Sequence, residues 1–125
     1  MSSVIVVGSA NVDQVFRVER IPSPGETVLS TGFSTARGGK GQNQAVAAAR
    51  AGAPTAFIAA LGDDAFGSDT RAGLIDDGVD VTGVRSLAAA TGTALIAVDS
   101  VGANTTIVEA GANRLTHGDL DHQIP

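Results

Sequence analysis

At 125 residues the chain is long enough for one domain with a proper core and too short for two. Its hydrophobic content of 43% against 17% charged residues excludes a disordered chain, and with 16 glycines and four aromatics, all Phe, the core must be built from small side chains. A net charge of −5 argues against a general nucleic-acid or anionic-membrane surface, while leaving one local phosphate or sugar site open.

No cysteine is present, so disulfides and thiolate zinc sites are excluded, and a cytoplasmic location fits. The first residues lack a basic segment, and the apolar run Val4 to Val7 is far too short for a signal peptide or membrane span.

That β-branched run ends at Gly8 and predicts a strand buried on both faces. Gln14 to Arg20 alternates polar and apolar and predicts a half-exposed strand, followed by a turn at Pro22, Pro24 and Gly25. A second such strand is expected from about Glu26 to Ala36, broken near Gly32. Lys40 to Arg50 is the clearest helix, alanine-rich nearly all round and stopped by Gly52 and Pro54. Thr55 to Leu61 reads as another buried strand, and Asp64 to Asp77 as a helix stopped by Gly78. After a connector with Val79 and Val81, strands are expected at Thr91 to Val98 and Thr105 to Glu109, joined by a hairpin loop over Asp99 to Asn104. Thr116 and Asp119 are spaced like a capping box and would open a last helix, cut off by Pro125.

Buried strands alternating with helices predict an α/β fold with a parallel sheet. The half-polar strands, within 14–37 and 91–109, do not belong in its centre and predict a separate small sheet beside it.

Two segments could carry chemistry. Asn11 and Asp13 follow the first strand, where open α/β sheets bind ligands, and two-residue spacing puts both on one face of an extended segment. Together they could grip vicinal hydroxyls, the carboxylate accepting and the amide doing either; the plainer alternative is that they satisfy turn backbone. Gly38-Gly39-Lys40-Gly41-Gln42-Asn43 opens the first helix, where glycines admit a ligand close to the backbone and N–H groups are free. Lys40 and Asn43 are one turn apart, and a lysine at a helix N-terminus is electrostatically unfavourable, which favours a binding role over a solvated one.

Nucleotide-loop readings fail here. Lys40 is followed by Gly41 rather than Ser or Thr, and Gln44 stands where a dinucleotide fingerprint needs its third glycine, so an oxidoreductase fragment is disfavoured. Asp63-Asp64 is read as a helix cap, and Asp76, Asp77 and Asp80 as a solvated helix end. His117 and His122 would point about 140° apart on a helix, which argues against a shared metal.

Taken in order, Gly-Ser-Ala-Asn-Val-Asp (8–13), Pro-Ser-Pro-Gly-Glu-Thr (22–27), Gly-Gly-Lys-Gly-Gln-Asn-Gln-Ala (38–45), Gly-Asp-Asp-Ala-Phe-Gly (62–67), Thr-Gly-Thr-Ala-Leu-Ile (91–96) and Ala-Gly-Ala-Asn (110–113) resemble the N-terminal part of the ribokinase-type carbohydrate kinases. The likeness spans essentially the whole chain. It implies a ribokinase-like parallel sheet with flanking helices plus a small β-sheet lid, and ATP-dependent phosphorylation of D-ribose at O5. It further implies sugar contacts from Asn11, Asp13, Gly39, Lys40, Gly41 and Asn43, with Ala94 and Ile96 supplying an apolar lid surface, and a homodimer formed through the lid. ATP, magnesium, potassium and the catalytic base are implied to lie in a C-terminal half absent from residues 1–125, so no catalytic residue is expected here and the chain alone should be inactive. The alternatives are a non-enzymatic sugar-binding or dimerising lid module, or a fructokinase-like member of the same family.

Overall fold

The structure is a computed structural model that describes residues 2–114. In chain order its elements are β1 (Val4–Val7), β2 (Asn11–Arg17), β3 (Gly32–Gly38), α1 (Lys40–Arg50), β4 (Thr55–Gly62), α2 (Ala65–Asp76), β5 (Val84–Leu87), β6 (Gly92–Val98) and β7 (Asn104–Glu109). The expected last helix, with Thr116, His117, Asp119 and His122, lies outside the described residues.

The apolar runs form a three-stranded parallel sheet in the order β1-β4-β5. Its central strand, β4, is buried along nearly its whole length. Val6 lies beside Phe57, and this face, with Ala59 and Leu61, meets Ala45 of α1 and Leu74 of α2 in one core. Both helices therefore cover the same face. Phe57 is the only aromatic of that core, as the small-residue composition predicts.

β1 departs from expectation. Ile5 and Val7, on the opposite face, are 47% and 38% exposed, so the strand is not buried on both sides. The reason is that both helices lie on the other face. β5 was not expected at all: four residues with a central Arg-Ser pair carry no periodicity to find.

The helix ends are where glycines stop them. α1 is followed by Gly52 (φ +97°) and α2 by Gly78 (φ +84°), both in the left-handed region that ends helices. Asp64 caps α2 by accepting the Gly67 N–H at 2.8 Å. The same carboxylate accepts the Thr91 N–H at 2.8 Å and its hydroxyl at 2.6 Å, while that hydroxyl accepts the Gly62 N–H at 2.9 Å. The cap thus also fixes the start of β6.

The half-polar strands form a second sheet in the order β3-β2-β6-β7. β2 and β6 run parallel, each leaving the first sheet, and β3 and β7 return antiparallel to them. Both boundaries shift from the sequence reading. β2 begins at Asn11 and ends at Arg17, whose carbonyl accepts the Thr31 N–H at 2.7 Å. Its partner therefore starts only at Gly32, and residues 26–31 form no strand. The hairpin loop stands where expected, with Asp99 Oδ1 accepting the N–H groups of Val101 and Ala103 and Gly102 at φ +86°.

Asp77 is the clearest correction. Its side chain is only 12% exposed, and its carboxylate pairs with Arg37 of β3 at 2.5 Å and with Arg50 of α1 at 2.7 Å. One carboxylate at the end of α2 thus joins α1, α2 and the second sheet, rather than dissolving into solvent. Hydrogen bonds from Arg37, then Arg50, hold its carboxyl below the usual carboxylate range. A carboxyl depressed in this way contributes stability above its unfolded value of 3.8, and that stability is lost as pH falls through the folded value. Asp77→Asn should cost about 1–2 kcal/mol at pH 7, since Arg50 is largely exposed. Urea denaturation at pH 7 and pH 3 checks this: the deficit should shrink at the lower pH, and equal stabilities at pH 7 would return Asp77 to a solvated role.

Candidate functional site

The two sheets meet where β1 hands over to β2. Gly8, Ser9 and Ala10 make that link, and the first turn of α1 lies directly on it. A β-carbon at Gly41 would fall 2.8 Å from the Gly8 Cα, and one at Gly39 would fall 2.7 Å from the Ser9 carbonyl oxygen. Gly39 also has φ +95°, which a side chain would strain. Only glycine allows this approach at both positions. The Gln42 N–H donates to the Ser9 carbonyl at 3.0 Å, and Gln42 Nε2 donates to the Gly38 carbonyl at 2.7 Å, locking the helix start to both strands.

Asn11 and Asp13 lie on one face of β2, as their spacing predicts. Register places Asn11 between Gly38 of β3 and Gly92 of β6, and Asp13 between Ala36 and Ala94. The Asp13 carboxylate leans over Gly38: a β-carbon there would meet both carboxylate oxygens at 2.5 Å. Among the described residues no cation pairs with it, and burial alone pushes its carboxyl above the usual range. A half-buried carboxylate without a partner is costly unless something else bonds to it.

Ala94 is buried beside Asp13, and Ile96 follows on the same face two residues further along β6. Lys40 and Asn43 sit exposed on the first turn of α1, which has no side-chain cap and no acidic residue. Asn43 borders a groove of about 380 Å³ shared with Arg37, Val46 and Arg50.

Sequence reasoning gave no role to three residues that build this junction. Gly38 makes space for Asp13, Gln42 ties α1 to the strand ends, and Asn113 hydrogen-bonds to Ala10 and Asn11 from more than 100 positions away. The glycine-rich segment contains the first two and the Ala-Gly-Ala-Asn motif the third. Nothing in a single sequence shows that residue 113 reaches residue 10.

Residues 1–123 match the pfkB family of carbohydrate kinases. The ribokinase of Schizosaccharomyces pombe is 43% identical over 120 residues, covering 90% of this chain and 38% of that protein. Arabidopsis thaliana ribokinase complexed with ribose and ATP superimposes with a TM-score of 0.82 at 41% identity, over 90% of this chain and 37% of that one. Cryptococcus neoformans ribokinase in complex with ADP gives a TM-score of 0.80 at 38% identity, over 90% and 36% of the two chains. The chain thus spans little more than a third of the length of these relatives. Among the described residues no helix is long and apolar enough to cross a membrane. On sequence and fold together, this chain belongs to the pfkB family of carbohydrate kinases.

Proposed function

We propose that residues 1–125 are the sugar-holding part of a cytoplasmic, ATP-dependent ribose kinase. The observation that carries this reading is Asp13: a half-buried carboxylate with no cation beside it among the described residues, next to Asn11 and the glycine-entered helix. Sugar hydroxyls supply the hydrogen bonds that its burial otherwise leaves unmade. The ribose named in the Arabidopsis complex fits that need.

In this reading Asp13 accepts from hydroxyls of the furanose and Asn11 binds a neighbouring one. Gly39 and Gly41 bring backbone close to the ring, and Lys40 and Asn43 close the helix side. Ala94 and Ile96 line the apolar side, and the second sheet acts as a lid. ATP, which delivers its γ-phosphoryl group to O5, belongs with magnesium, potassium and the catalytic base on the part of the relatives that this chain does not span. The chain alone should therefore form no phosphoribose. Labelled ATP, magnesium, potassium and ribose test this, and product above a no-protein control would refute it.

The opposite face of the second sheet supports self-association. Phe33, Leu95 and Ile107 are 56%, 43% and 64% exposed there, and Phe16 stacks against Phe33 with ring centroids 4.9 Å apart. A second copy covering this face would bury it as a two-fold dimer. Sedimentation over a concentration series should show dimer, and a monomer at high concentration would count against it.

Two further outcomes concern Asp13 in the complete kinase. Asp13→Ala should raise KM for ribose ten- to hundredfold, the equivalent of about 1.5–3 kcal/mol for bonds to a charged group. Asn43→Ala should act more mildly, and KM for ATP should barely move in either. Asp13→Asn separates binding from folding. A carboxyl raised by burial favours its neutral form, so its charge costs stability above the raised value and costs nothing below the unfolded 3.8. Asp13→Asn should therefore raise Tm at pH 7 without ligand, with the gain gone near pH 3, while weakening ribose binding. A Tm that falls at pH 7 would mean Asp13 serves the fold.

A further inference from the structure

We propose that Asn113 is a positioning residue for the sugar site: it turns the Asn11 side chain so that the amide nitrogen, not the oxygen, faces the sugar. The proposal deepens the functional reading above and rests on it for the identity of the ligand.

Asn113 Oδ1 accepts the Ala10 N–H at 3.0 Å, and Asn113 Nδ2 donates to the Ala10 carbonyl at 3.2 Å. A backbone N–H can only donate and a carbonyl can only accept, so Ala10 allows one orientation of the Asn113 amide. That orientation aims Nδ2 at Asn11, where it donates to Oδ1 at 2.7 Å. The reverse setting of Asn11 would place two NH₂ groups face to face. The Asn11 oxygen is therefore turned towards the junction, where it accepts from Asn113, and Nδ2 is the group set on the other side of the amide.

A second observation, independent of amide assignment, shows that this contact is built into the fold. Gly92 is the register partner of Asn11 on β6. A β-carbon there would stand 2.2 Å from Asn113 Nδ2 and 2.6 Å from Asn11 Oδ1. The space beside β6 is filled by that hydrogen bond. Asn113 is delivered by the turn after β7, where Gly111 has φ +54° and the Ala112 N–H donates to the Ala90 carbonyl at 2.7 Å.

The consequence is a paired site of opposite sense. Asp13 can only accept when ionised, and Asn11 presents a donor. A hydroxyl, which both donates and accepts, satisfies the two together.

The test uses the complete kinase carrying this segment. Asn113→Asp keeps the size and the acceptor for the Ala10 N–H, but its carboxylate repels the Asn11 oxygen and draws in the nitrogen. KM for ribose should rise roughly five- to tenfold, as for one lost hydrogen bond, with kcat and KM for ATP nearly unchanged. In an Asn11→Ala background the same substitution should add no further rise. Multiplying effects in that double-mutant cycle, or an unchanged KM, would overturn the proposal. Should the unsubstituted kinase show no ribose turnover, the functional reading fails, and the positioning claim is decided without ligand. The Asn113 side-chain amide protons, followed by NMR in ¹⁵N-labelled protein, should be protected from exchange, and Asn11→Ala should release one. Free exchange of both in the unsubstituted protein would refute it.

Discussion

Everything in this structure hangs on one backbone contact, that of Gly41 in the first turn of α1 with Gly8 at the end of β1. Parallel sheets place ligands at the C-terminal ends of their strands, but here the chain does not turn into a helix at that point. It continues into β2 and a second sheet, and only the later return through β3 brings the helix start back over the link. For α1 to lie on Gly8, side chains must be missing at 39 and 41, where they would strike Ser9 and Gly8. Pull the helix away by the width of a methyl group and Gln42 loses the Ser9 carbonyl, the Gly38 carbonyl or both. The site is thus a by-product of close packing between two backbones.

Close packing has a cost, which falls on Asp13. The same strands that hold Asn11 and the helix entry together shield the carboxylate over Gly38 without giving it a cation. A fold optimised for stability alone would place a neutral or apolar residue there. Asp77 shows the contrast within one chain. It is also shielded, but between two guanidinium groups, and its carboxyl is depressed where that of Asp13 is raised. Shielding is common to the two, so the neighbours decide the sign. One carboxylate holds elements together, and the other has no cation among the described residues.

Much of this was legible in the sequence, and the legible parts share a cause. α1 spans Lys40–Arg50 as read, because glycines flank it and alanine fills it. α2 is recovered with Asp64 as its cap, and β6 and β7 with their loop, since alternation and turn chemistry are local signals. The pairing of Asn11 with Asp13 on one face follows from strand geometry alone. What stayed hidden is non-local. Asp77 looked like any acidic helix end until Arg37 and Arg50, 40 and 27 positions away, were brought to it. Val4–Val7 looked fully buried because apolar residues alternate on both its faces, yet the helices both went to one side.

The second sheet is tied to the first at two kinds of place, and they differ in what they resist. At the link, four strand ends converge and are held by backbone and amide hydrogen bonds, among them Gln42 to Gly38 and Asn113 to Ala10. These bonds are short-range and directional, so they permit little sliding of one sheet on the other. One residue along β3 from Gly38 and on the sheet's other face, Arg37 reaches Asp77 with a guanidinium packed on Gly73, where a β-carbon would lie 2.7 Å from its Nη1. An ion pair tolerates changes of angle that a three-bond amide lock does not. Both ties therefore sit at the end of the second sheet that carries Asn11 and Asp13. The far end, with Phe33 and Val98, lies beyond both ties. In the proposed reading of the second sheet as a lid, Asn11 and Asp13 belong to its attached end, so movement of the free end would not carry them with it.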